Sequence, residues 1–166
     1  MKQIYLSMAI TPVSVVLFLA IIVVPGICVA GRPPGSPWTL IQNIPGGNAC
    51  AARLPGHEVD ISFMLNEFGQ LILAAGKPDW HMSGSFEVKL RIDSVEVDHL
   101  QANAFNNLTF LLVKDESTVT RLRVARDLYW TLPSGMFHAT VSGFGNALDW
   151  VQACEQAKRA GLAGGA

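Results

Sequence analysis

Beyond its first thirty residues the chain holds two cysteines, Cys50 and Cys154, and nothing else in the sequence constrains a fold as strongly as a bond between them. Joining them would close a loop of about 100 residues, worth roughly 4–5 kcal/mol in the chain-entropy model. Such a bond forms and persists outside the reducing cell interior, so the amino terminus decides whether it is available.

That terminus has the order of a secretory leader. Lys2 is followed by an apolar run from Val13 to Val24, a helix-breaking Pro25-Gly26, and then Cys28 and Ala30 on either side of Val29. Signal peptidase requires small side chains at those two positions, which places cleavage between Ala30 and Gly31 and makes residues 1–30 a signal peptide. Two alternatives remain open. A spanning helix needs about 20 apolar residues, and the stretch from Ala9 to Ala30 approaches that, so the leader could be retained as an anchor. Cys28 could also be acylated, although Pro25-Gly26-Ile27 is a poor lipobox. With the leader removed the chain faces an oxidising compartment and is periplasmic or secreted, where Cys50 and Cys154 are expected to pair rather than persist as separate buried thiols.

Charge excludes several function classes. The chain has 12 Lys and Arg against 13 Asp and Glu; without Lys2 this becomes 11 against 13. Neither nucleic-acid binding nor a polyacidic tail has that balance. The expected organisation is a spacer over 31–37, rich in proline and glycine, one globular domain over 38–160, and a flexible Gly/Ala tail over 161–166.

Strands are predicted at Trp38 to Ile44, Ala49 to Arg53, Val59 to Leu65 and Gln70 to Ala75, separated by turns rich in Gly, Pro and Asn. From Phe86 to Ile92 the even-numbered positions are apolar and Glu87, Lys89 and Arg91 are charged, the mark of a strand with one wet face. Val95 to Val113 reads as a hairpin turning at Asn106-Asn107. Ser117 to Leu128 carries both helical and strand periodicity and is taken as helix. Tyr129 to Leu132 and Met136 to Val141 flank a turn at Pro133-Ser134-Gly135. Phe144, Ala147, Leu148, Val151 and Cys154 share one face of a final amphipathic helix, so Cys154 points toward the sheet. The fold class is therefore α+β, a mainly antiparallel sheet packed against a C-terminal helix, with one disulfide.

Motifs for catalysis are absent. Gly143-Phe144-Gly145-Asn146-Ala147-Leu148 resembles a dinucleotide fingerprint, but Leu148 stands where a small residue must be, and no parallel βαβ unit surrounds it. The glycines fit a tight strand-to-helix turn better. His57, His81, His99 and His138 are scattered, and His57/Asp60, Asp79/His81 and Asp98/His99 are local pairs of the kind any surface carries. No catalytic residue, metal or cofactor is expected. The Lys77-Pro78-Asp79-Trp80-His81-Met82 loop is the one segment that suggests recognition, with Asp79, Trp80 and His81 at its tip, because a proline-stiffened aromatic offers contact area at low entropic cost. Against that, Trp80 can fold back over the open end of the core. Arg121, Arg123 and Arg126 lie among Asp115, Glu116 and Asp127 and read as a solvated face. Asn107-Leu108-Thr109 forms a glycosylation sequon.

With Trp38 ahead of Cys50, the Lys77-Pro78-Asp79-Trp80 loop, the Val88 to Asp93 strand and Gly143 to Cys154 closing the fold, the chain resembles small uncharacterised exported proteins of Gram-negative bacteria. The resemblance implies a periplasmic address and carries over no site residues. The leading expectation is a non-enzymatic secreted or periplasmic domain acting through protein contacts, as a binding or inhibitory module. The alternatives are a small envelope hydrolase, which predicts several histidines converging in one pocket, and a structural envelope protein held by an uncleaved leader. No nucleic acid is expected as a partner, and a membrane only through that leader.

Overall fold

The computed structural model describes residues 36–42, 49–56, 58–133 and 135–163. The leader, its Ala30/Gly31 junction and His57 lie outside these residues. The strands are β1 (Thr39–Gln42), β2 (Cys50–Leu54), β3 (Asp60–Leu65), β4 (Leu71–Gly76), β5 (Met82–Ile92), β6 (Val95–Asn106), β7 (Leu108–Val113), β8 (Asp127–Leu132) and β9 (Gly135–Thr140). Two helices accompany them among the described residues, α1 (Glu116–Val124) and α2 (Phe144–Ala163). All strands form one antiparallel sheet in the order β1-β2-β3-β4-β7-β6-β5-β8-β9. The expected antiparallel sheet, C-terminal helix and disulfide are present, with more of the chain in strands than the α+β expectation implied.

Alternation decides which face each strand buries. Ile61 and Phe63 of β3, Leu71 and Leu73 of β4, Val88, Leu90 and Ile92 of β5, and Leu128 and Trp130 of β8 all reach one core. α2 closes that core with Phe144, Ala147, Leu148 and Val151, the apolar face legible in the sequence. Residues from both ends of the sheet meet here because the sheet curls into a half-barrel. Trp38, just ahead of β1, donates its indole N–H to the Ser142 carbonyl after β9 at 3.0 Å. Its ring stands edge-on to Phe63 and Phe144, with centroids 5.2 and 5.5 Å away. On the opposite face Ile41, Ala51, Met64 and Ala74 make a second, smaller cluster.

Cys50 and Cys154 are bonded, with their Cα atoms 6.1 Å apart, so α2 is tied to β2. Glu155 strengthens the junction by accepting the Cys50 backbone N–H at 2.6 Å. The tie lies where the amphipathic pattern put it, on the face of α2 that turns toward the sheet.

Three departures from the sequence reading go beyond shifts of a residue or two. β5 begins at Met82 rather than Phe86, because β6 is long enough to pair with the Ser83-Gly84-Ser85 stretch; Ser83 lies opposite Phe105 and Ser85 opposite Asn103. Partners thus override a composition that reads as loop. The segment from Ser117 to Leu128 divides: α1 is capped by Asp115, which accepts the Thr118 N–H at 2.8 Å, and ends at Ala125 in extended backbone. Leu128 then alternates inward with Trp130 and Leu132 in β8. α2 continues to Ala163, into the Gly/Ala stretch expected to be flexible.

Candidate recognition surface

The segment after β4 is held by its backbone. Lys77 N–H donates to the Asn107 carbonyl at 3.1 Å, and Trp80 N–H donates to the Lys77 carbonyl at 3.1 Å, closing a turn. Lys77 and Asp79 form an ion pair at 3.1 Å. Asp79 and His81 are exposed, whereas Trp80 is half-buried and lays its ring against Phe137 of β9, centroid to centroid 5.4 Å. Phe137 in turn contacts the buried Trp130 at 5.7 Å. The indole therefore closes the rim of the core while its exposed part and its two neighbours remain at the surface. The sequence could name this loop, but its neighbour on β9 lies far along the chain and carried no local signal.

β9 itself is the outermost strand on that side, and Gly135, Met136, His138 and Thr140 are all exposed. Met136 is 63% accessible, high for a large apolar side chain. The Trp80 loop and β9 thus meet at Phe137 on the inner face, while Met136 is exposed on the outer face of the same strand.

A polar row runs across the outward face of the same strands. Arg91 on β5 lies opposite Tyr129 on β8, which lies opposite His138 on β9. The Arg91 guanidinium sits 3.8 Å from the centre of the Tyr129 ring, and His138 stacks on that ring at 4.5 Å. His138 Nε2 meets Asp127 Oδ1 at 2.7 Å. The hydrogen bond from His138 holds the Asp127 carboxyl below the ordinary aspartate range, against the opposing effect of burial and with help from Thr140. Asp93 braces the row from below, accepting the backbone N–H groups of Arg126 and Asp127 at 3.0 and 2.9 Å.

None of the local acid–imidazole pairs read from the sequence matches this one. Asp60 instead pairs with Arg53 and accepts the Gly56 N–H. Folding the hairpin about Pro133 to Gly135 would have revealed the Asp127 and His138 partnership, because that turn sets Tyr129 opposite His138. Asp127 and His138 resemble a catalytic dyad, but the hydroxyl near them, Thr140 Oγ1, donates to Asp127 and not to the imidazole. Among the described residues no group of three or more His, Cys, Asp or Glu side chains converges to hold a metal. None of the described helices is long and apolar enough to cross a membrane.

The glycines of the fingerprint-like motif have geometric roles. Gly143 takes φ +80° at the turn into α2. A Cβ on Gly145 would stand 2.6 Å from the Arg123 carbonyl oxygen, so glycine there lets α2 approach the end of α1. That approach puts Arg123 within 2.6 Å of Asp149 and 3.2 Å of Gln152, so its charge is paired across the two helices at the surface.

No family model and no curated protein matches the chain. Among solved structures it is similar to the crystal structure of invasion associated protein b from Bartonella henselae, with 17% identity and a TM-score of 0.56. The match covers 72% of this chain and 94% of that one. At that identity the likeness is one of fold.

Proposed function

We propose that the chain acts outside the cytoplasm as a non-enzymatic protein-binding module whose contact surface joins Asp79, Trp80 and His81 to the start of β9. The observation that carries this reading is the seating of Trp80 on Phe137, which joins the loop to the outermost strand of the sheet. A half-buried indole suits such a surface, because its inner edge is fixed by the core and little entropy is lost when a partner covers the rest. The address is supported by the leader-like amino terminus and by the disulfide, which oxidising compartments favour. The structural neighbour is described as invasion associated, in keeping with a role in contact.

Export and cleavage are tested by intact mass on protein recovered from outside the cytoplasm. A species starting at Gly31 and lighter by two hydrogens supports both; a cytosolic product with both thiols alkylatable overturns the address. Contact is tested by cross-linking in envelope extract with the wild type and with Trp80→Ala. Loss of the cross-linked species in the variant is the expected result, and equal recovery of the same species by both proteins refutes the surface.

A further inference from the structure

The two edges of the sheet are finished differently. β1 is short, half-buried, and flanked by α2. β9 exposes Gly135, Met136, His138 and Thr140 and pairs with β8 in unbroken register. Sheets ordinarily guard an edge with a lysine, a proline or a bulge, since open backbone groups template pairing with another chain. β9 reads Gly-Met-Phe-His-Ala-Thr and has none of these guards.

The direction of its backbone groups follows from one hydrogen bond. Val141 N–H donates to the Arg126 carbonyl at 2.7 Å, and in antiparallel pairs bonded and non-bonded positions alternate. The odd-numbered residues of β9 therefore bond to β8, while the N–H and C=O groups of Met136, His138 and Thr140 point to the open edge, where no described residue meets them.

We propose that this edge is a homodimer interface, in which β9 of a second copy pairs antiparallel with β9 across a two-fold axis and the two sheets become one. Three features select this occupant. Open groups alternating along a strand are matched by another extended backbone, about 4.8 Å away. The edge carries no lysine, arginine, aspartate or glutamate, so its complement carries no net charge either, and β9 meets its own requirement. A two-fold contact joins identical patches, and identical strands meeting edge to edge across that axis run antiparallel.

The faces also agree. Opposed residues in such a pair point the same way, so Met136, His138 and Thr140 meet their counterparts on the outer side, and Phe137 and Ala139 of the second copy extend the core side beside Trp80. The inference rests on the reading of β9 as part of a contact surface and adds the identity of the partner.

The test is sedimentation of the exported, disulfide-intact protein across the micromolar range, together with amide exchange. The wild type is expected to dimerise with concentration, with the Met136, His138 and Thr140 amides protected in the dimer and exchanging freely in the monomer. Met136→Lys puts on the open edge the lysine guard that β9 lacks and is expected to weaken the dimer roughly a hundredfold, whereas Met136→Leu retains it. Near-ultraviolet circular dichroism identical to wild type shows that the lysine variant is folded; should it not fold, His138→Pro removes one outward N–H and replaces it in the same comparison. A wild type that stays monomeric, a dimer whose outward amides exchange freely, or a folded lysine variant that dimerises as tightly as wild type each overturns the proposal. A monomer that still shows Trp80-dependent cross-linking to another protein would sink this inference and leave the contact surface standing.

Discussion

β1 and β9 end the same sheet, yet one is fastened and the other is left open. Behind β1 stand the disulfide, the Glu155 contact to Cys50, the Trp38 indole and the packing of α2. At β9, among the described residues, side chains do this work: Trp80 against Phe137 on the inner face, and the Arg91, Tyr129 and His138 stack on the outer one. The difference separates a region built for stability from one whose backbone groups remain available, which is where binding residues belong when a rigid scaffold positions them.

That contrast can be broken experimentally. The largest effect is expected from replacing both cysteines by serine: unfolding free energy measured in urea should fall by about 4–5 kcal/mol, the value for a loop of about 100 residues. Amides of β1 and β2 should lose exchange protection before those of β8. A uniform loss across the sheet would mean that the two ends are not energetically distinct.

Phe63→Ala should cost about 4 kcal/mol, because the ring is fully buried between Trp38 and Phe144 and its removal leaves a cavity that cannot collapse. Urea midpoints check this, and a cost below about 1 kcal/mol would remove the aromatic cluster as the anchor of the fastened end. At the open end Trp80→Ala should cost less, about 1–2 kcal/mol, since part of the indole is already in water. Tyr129→Leu takes away the surface on which Arg91 and His138 lie and should cost about 1 kcal/mol by the same measurement.

The smallest effect is a pH dependence. Hydrogen bonds from Ser117 and Thr118 lower the Asp115 carboxyl from 3.8 to about 2. Its contribution to α1 is therefore complete above pH 3.8 and lost as the pH falls toward about 2. Asp115→Asn should flatten the helical signal over that interval; an unchanged acid titration would show that the cap contributes nothing.

The sequence made some of this legible because the information was local. Alternation from Phe86 to Ile92 announced a strand with one wet face, the apolar stripe of α2 put Cys154 toward the sheet, and Asn106-Asn107 marked a turn. Asn106 indeed takes φ +55°, a conformation asparagine tolerates. What escaped depends on partners remote in the chain. Leu90 opposite Trp130 joins β5 to β8, and that pairing carries no spacing signal at either position. Trp80 on Phe137 and Arg123 on Asp149 likewise join residues remote in the chain, so a reading of neighbours along the chain could list these residues but not bring them together.

The link between Cys50 and Cys154 also orders events in time. A ribosome delivers the first strands long before the last helix, and until that helix arrives the inner surface of the early strands has no lid and its sulfur no mate. A chain cut short before Cys154 would lack both the disulfide and part of the helix that covers the core, however much of its sheet it possessed.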